Sequence, residues 1–155
     1  ILVQIIPDDL MKRIEIIVFG KDHHKNKFDI KLPIKSIGEI KDIKKLSMIY
    51  SSADVFVNPS MQESFGQTAS EAHSCGTPVV AFDSGGLKDI VTHLETGYLA
   101  IPFDTRSLAN GIKWVIENDI RNLRLGINSR KKAKENWDYS IISKMHTDLY
   151  KKVIR

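Results

Sequence analysis

Short apolar runs rich in β-branched residues, each closed by a turn residue and followed by a stretch of helical period, set the strongest limit on how this chain can fold. Ile14–Phe19 ends at Gly20, and Asp54–Val57, Pro78–Phe82 and Tyr98–Ile101 repeat the form. Such runs, lacking polar alternation, read as strands buried on both faces, as in a parallel sheet. Between them, Asp42–Ser51 puts Ile43, Leu46, Ile49 and Tyr50 on one side, and Thr105–Asn118 does the same with Leu108, Ile112, Val115 and Ile116. Gly66–Cys75 and Gly86–His93 are shorter helical stretches. The alternation predicts an α/β fold, a parallel sheet covered by helices on both faces. From Asp119 onward the chain is helical in character, with a break near Trp137–Ser140 where Asp138 or Ser140 caps a last helix carrying Ile141, Ile142, Met145, Leu149 and Val153.

With 155 residues, 42% of them hydrophobic, the chain is long enough for one domain with its own core. Its single cysteine, Cys75, cannot form an internal disulfide, and no apolar run reaches the length of a membrane span, so a reducing, cytoplasmic setting is expected. From Arg121 onward there are ten Lys or Arg against three Asp or Glu, within a net charge of +4. A basic tail of this kind suits an anionic membrane surface or nucleic acid. It has helical periodicity without interleaved aromatics, which favours a solvated helix face and argues against nucleic acid.

Ser60–Gly66 follows one predicted strand and opens the next helix, and in an open parallel sheet ligands bind at such carboxyl edges. The amides of Ser64, Phe65, Gly66 and Gln67 would be the unpaired donors of a helix start, a setting suited to a phosphate. Gly66 would allow close approach of a ligand, and Pro59 stiffens the strand exit. Glu63 lies on that loop and Glu71 one to two turns into the helix. A carboxylate accepting from vicinal hydroxyls holds a ribose well, which suits Glu71, while Glu63 would face whatever hangs from the far phosphate. From spacing alone, two surface carboxylates explain the pair equally well. A second strand–loop–helix turn at Asp83–Gly86 opens toward the same edge and supports a shared cleft.

Glu63-Ser-Phe-Gly-Gln-Thr-Ala-Ser-Glu71, a Glu-x7-Glu motif, continues through Ala72-His-Ser-Cys-Gly-Thr-Pro-Val-Val-Ala-Phe-Asp-Ser-Gly-Gly86 to Thr96-Gly-Tyr-Leu. With the Val18-Phe-Gly20 strand end, Ile37-Gly38-Glu39, Tyr50-Ser-Ser-Ala-Asp54 and the Pro102-Phe-Asp104 turn, this order resembles the donor-binding half of retaining GT-B glycosyltransferases. The group is the glycogen synthase and sucrose synthase-like one, family 4 or glycosyl transferases group 1, and the resemblance runs from about Ile14 to Tyr150.

The resemblance implies a single Rossmann-like donor-binding domain over 1–155, the C-terminal half of a GT-B fold. Its first strand and helix, carrying an Arg and a Lys for the diphosphate, would precede the chain, and a helix over about 138–155 would cross to an absent N-terminal acceptor domain. Glu71 would bind the ribose of a nucleotide-sugar and Glu63, as the catalytic residue, would lie by the transferred sugar. Ser64, Phe65, Gly66 and Gln67 would contact sugar hydroxyls and diphosphate through their backbone, and Ile37 and Gly38 would meet the base, with Gly20 completing the donor site. The implied activity is hexosyl transfer with retention from a UDP- or GDP-sugar to a glycan or lipid-linked acceptor, in surface polysaccharide synthesis. The implied partners are that donor and acceptor, with peripheral contact to the inner membrane surface and no nucleic acid. No cofactor or metal is called for, in keeping with the absence of Asp-x-Asp, and the isolated fragment is expected to be inactive.

His23-His24 reads as a surface loop, His73 as pointing away from Glu71, Cys75 as a packed small residue, and Trp114 and Trp137 as core or interface aromatics. The alternative to a transferase is a non-catalytic nucleotide- or phosphate-binding α/β module, which has no need of Glu63 beyond the phosphates.

Overall fold

The computed structural model describes residues 6–20 and 32–154. A one-turn helix α1 (Asp8–Met11) leads into β1 (Ile16–Phe19) and β2 (Ile34–Gly38), which are followed by α2 (Ile43–Ser52), β3 (Phe56–Asn58), α3 (Gln67–Ser74), β4 (Val79–Phe82) and the one-turn α4 (Leu87–Ile90). β5 (Gly97–Ala100), α5 (Thr105–Ile116), α6 (Asp119–Trp137) and α7 (Tyr139–Val153) complete the order. All strand pairs are parallel, and they form two pieces, β1–β2 and β3–β4–β5. Parallel strands joined through helices are the arrangement of a Rossmann-like fold, and among the described residues no strand joins β1 to β3.

β4 shows why its sequence reads as a continuous apolar run. Val79 and Ala81 enter one core cluster with Ala69, Ala72, Leu87 and Ile90, while Val80 and Phe82 enter another with Leu108, Val115 and Leu125. Successive side chains point to opposite faces, so a strand covered on both sides has no polar positions. α2, α5 and α7 begin at aspartates whose side chains accept backbone N–H bonds, Asp42 from Lys44 and Lys45, Asp104 from Arg106 and Ser107, and Asp138 from Ser140. The hydrogen bonds from Ser140 hold the Asp138 carboxyl below its usual range.

Three features differ from the sequence reading. β1 is not buried on both faces, since Ile17 and Val18, which point to opposite faces of the strand, are both exposed. β2 is a strand beyond those the apolar runs predict, and it pairs with β1 along Ile16–Phe19. The helix expected over Gly86–His93 stops at Ile90, where Val91 turns to extended backbone and His93 bridges to Gly97.

Candidate functional site

At the end of β3, Asn58 is buried and its Oδ1 accepts from the Ser60 N–H at 3.0 Å, which turns the chain into the Glu63 loop. That loop is tied to the Asp83–Gly86 turn, where the Gly86 N–H donates to the Glu63 carbonyl at 2.8 Å. A Cβ on Gly86 would lie 2.6 Å from both Phe65 Cα and the Ser64 carbonyl oxygen, and one on Gly85 would lie 2.2 Å from the Glu63 carbonyl oxygen. These glycines are therefore required by a second backbone passing against them. The two strand-end loops form one unit at the carboxyl edge of the sheet, as their common form implied.

Gly66 is the N-cap of α3, with φ +87° in the left-handed region, and no side chain caps the helix. A Cβ there would meet Leu87 Cδ2 at 2.9 Å, so backbone conformation and packing favour the glycine whether or not a ligand approaches it. The first amides of α3 have no side-chain acceptor, and the positive end of the helix dipole lies behind them. Phe65 is half exposed, and Ser64 and Gln67 are exposed beside it. Glu63 is half-buried, and among the described residues its carboxylate takes no hydrogen bond or ion pair.

Glu71 is held from two sides. The Tyr50 hydroxyl donates to one carboxylate oxygen at 3.1 Å and Gln67 Nε2 donates to the other at 3.2 Å, the latter an i,i+4 pair on α3. Burial raises the Tyr50 pKa and the Glu71 charge raises it further, so the phenol stays protonated and a donor. The Tyr50 ring packs edge-on against Phe19 of β1 at 5.5 Å and Phe56 of β3 at 5.4 Å. One side chain thus links the two sheet pieces to the helix carboxylate. Sequence reasoning counted Tyr50 in an apolar stripe and overlooked its hydroxyl, although a buried phenol must find a partner.

Gly20 and Gly38 end β1 and β2 side by side, joined by the Gly20 N–H to the Gly38 carbonyl at 3.0 Å. The pairing slips between Val18 and Phe19, so that Phe19 lies opposite Gly38. Beside them a cavity of about 320 Å³ is lined by Ile37, Ile40, Met48 and Ile49 with Lys45 at its wall. The expected site residues therefore fall into two groups, Glu63–Glu71 on the α3 unit and Gly20, Ile37 and Gly38 on the β1–β2 unit, with Tyr50 between them. A larger cleft of about 470 Å³ lies at the opposite, amino ends of β3 and β4, against α6, and contains none of them.

His73 is fully buried, its Nε2 3.1 Å from the Thr96 carbonyl and its ring nearly parallel to Trp137. Burial lowers its pKa to about 4, the Lys132 charge acting in the same direction and the Thr96 bond against it. Lys132 donates to the Asp89 carbonyl and Thr92 hydroxyl, and burial lowers its own pKa. Cys75 is partly buried, with its thiol pKa pushed up by that burial, which suits a packed residue. Trp114 and Trp137 both pack on the core clusters. His23 and His24 lie outside the described residues. Among the described residues, no group of three or more His, Cys, Asp or Glu is placed to hold a metal ion.

The family profile of glycosyl transferases group 1 matches residues 3–132. An uncharacterized glycosyltransferase of Methanocaldococcus jannaschii is 36% identical over 106 residues, covering 68% of this chain and 27% of the relative. The chain therefore spans about a quarter of the length of that relative. Among solved structures, sucrose-phosphate synthase from Thermosynechococcus elongatus superposes with a TM-score of 0.79 at 30% identity, over 89% of this chain and 38% of that one. HepE of Anabaena in complex with UDP-glucose superposes with a TM-score of 0.67 at 28% identity, over 78% of this chain and 33% of its own.

Proposed function

The chain belongs to the glycosyl transferases group 1 family, and from that membership we propose that it is the donor-binding domain of a retaining hexosyltransferase. The reaction moves a sugar from a nucleoside-diphosphate sugar to a glycan or lipid-linked acceptor in surface polysaccharide synthesis. The observation that carries this reading is the pairing, at one sheet edge, of an uncapped helix start with two carboxylates, Glu63 on the loop and Glu71 held by Tyr50 and Gln67. The UDP-glucose complex of HepE, a structural relative, supports the choice of ligand class.

In this reading the Glu71 oxygens accept from the ribose hydroxyls, and Tyr50 and Gln67 fix their direction. The base lies by Ile37 and Gly38, near the apolar cavity. The diphosphate meets the amides of Ser64–Gln67, which stabilise the charge that develops as the sugar departs, by fixed donors and the helix dipole without an ion. Glu63 faces the sugar being transferred. The acceptor would come from a separate domain, and this chain alone would not turn over. No described helix is long and apolar enough to cross a membrane, and peripheral contact with the inner membrane surface would run through the basic α6 and α7.

Calorimetric titration with UDP, GDP and their glucose and mannose conjugates tests the reading. One nucleotide should bind selectively, and Glu71→Ala should weaken it at least about tenfold, the loss of one charge-assisted hydrogen bond. Glu63→Ala in the complete enzyme should mainly lower turnover. Equal losses of binding alone from both variants would overturn this division of roles and favour a non-catalytic nucleotide-binding module.

A further inference from the structure

The Glu63 loop is held on one side by backbone, through Gly86, and on another by a ring. Phe65 meets Trp137 edge-on, with centroids 6.3 Å apart and planes at 87°. Trp137 is the last residue of α6, directly before the Asp138 cap that starts α7, so it forms the elbow between these helices. Its indole also lies against the His73 ring of α3, at 6.2 Å and 19°. His73 in turn is anchored to the Thr96 carbonyl, which also accepts from the Ser129 hydroxyl of α6 at 2.9 Å.

We propose that Trp137 is a positioning residue of the donor site, its indole transmitting the set of the α6–α7 elbow through Phe65 to the amides of Ser64–Gln67. α6 is pinned to the body of the domain by Ser129 and by Lys132, which fixes where the indole stands. α7 packs on α6 but leaves Met145, Leu149 and Val153 exposed. A force on α7 is therefore delivered at the elbow, next to the loop. Phe65 is the receiver because its backbone is wedged against Gly86 while its ring is half exposed. Without the indole, the loop keeps its backbone tether and loses its lateral stop.

The assignment rests on the donor-site reading above for its functional consequence, and it has a readout that needs no ligand. Hydrogen exchange in the full protein is followed by mass spectrometry over residues 62–68 and over α2 as internal reference. Trp137→Ala should speed exchange of the loop about threefold to tenfold, the worth of one edge-to-face aromatic pair, and leave α2 unchanged. Trp137→Phe, which keeps a ring at the elbow, should restore the slow rate. If Trp137→Ala unfolds the domain, Phe65→Leu decides, since it removes the other ring and leaves the His73–Trp137 stack in place. Unchanged loop exchange in both variants, or an equal rise in α2, would overturn the proposal.

In the titration, Trp137→Ala should weaken the sugar-nucleotide threefold to tenfold and leave the free nucleoside unchanged, because the latter has no phosphate to meet the Ser64–Gln67 amides and relies on Glu71. Equal weakening of both would mean a structural role alone and would overturn the proposal. Failure of the wild-type protein to bind any nucleotide would overturn the donor-site reading, while loop exchange would still judge the elbow.

Discussion

Glu71 and Tyr50 are separated by 21 residues and meet through one hydroxyl at 3.1 Å. Tyr50→Phe keeps the ring between Phe19 and Phe56 and removes that donor. It should lower unfolding free energy by about 1.5–3 kcal/mol, as expected for a hydrogen bond to a charged group, measured by urea denaturation. Its effect on nucleotide affinity should be smaller than that of Glu71→Ala, because Gln67 still holds the other oxygen. At Gly86 the limit is steric. An alanine would place its Cβ 2.6 Å from Phe65 Cα, where the neighbour is backbone and cannot swing away. Gly86→Ala should cost about 1–3 kcal/mol of stability and weaken donor binding by displacing the loop, seen as a shifted denaturation midpoint together with a raised Kd. At this scale the motif named the carboxylates, but Tyr50 as the partner of Glu71 was not legible, since a hydrogen bond between α2 and α3 leaves no mark in either local pattern.

Elements follow local rules where their contacts are local. Asp104 stands before the periodic stretch of α5 and accepts from the Arg106 and Ser107 amides at 2.9 and 3.0 Å. Asp104→Ala should destabilise the domain by about 1 kcal/mol, read as a lower thermal midpoint, with Asp104→Ser recovering most of the loss. The strands at 54–57, 78–82 and 98–101 were legible to within two residues, because burial on both faces makes the apolar run itself the signal. β2 was not legible. Its Ile34 and Lys35 are exposed, and its pairing with β1, across a connection through residues outside the described set, makes it a strand. α4 fell short of its apparent pattern because the chain is recruited at His93 into a bridge with Gly97.

The molecule as a whole is closed by side chains that join α3, α6 and the turn before β5. His73 is central to this, and its pKa of about 4 against an ordinary 6.5 gives the closure a pH dependence. The folded pKa is the lower one, so between these values the unfolded chain binds a proton that the folded chain refuses. The neutral ring's contribution is complete above pH 6.5 and is withdrawn as pH falls toward 4, a change on the order of 3 kcal/mol. Urea denaturation at stepped pH should show stability falling across that window, and His73→Gln should flatten this fall; an unchanged slope in the variant would assign it to other groups.

By itself the sequence determined the alternation of strand and helix, the capped break before the last helix and the placing of Glu63 on a loop and Glu71 on the helix it opens. Those depend on periodicity and on hydrogen bonds spanning a few residues. Only the tertiary structure decided that Tyr50 holds Glu71, that Gly85 and Gly86 exist to admit the Glu63 loop, and that Trp137 reaches both His73 and Phe65. Each of these joins segments distant along the chain, and such contacts are chosen by how whole elements pack, which no local pattern of residues encodes.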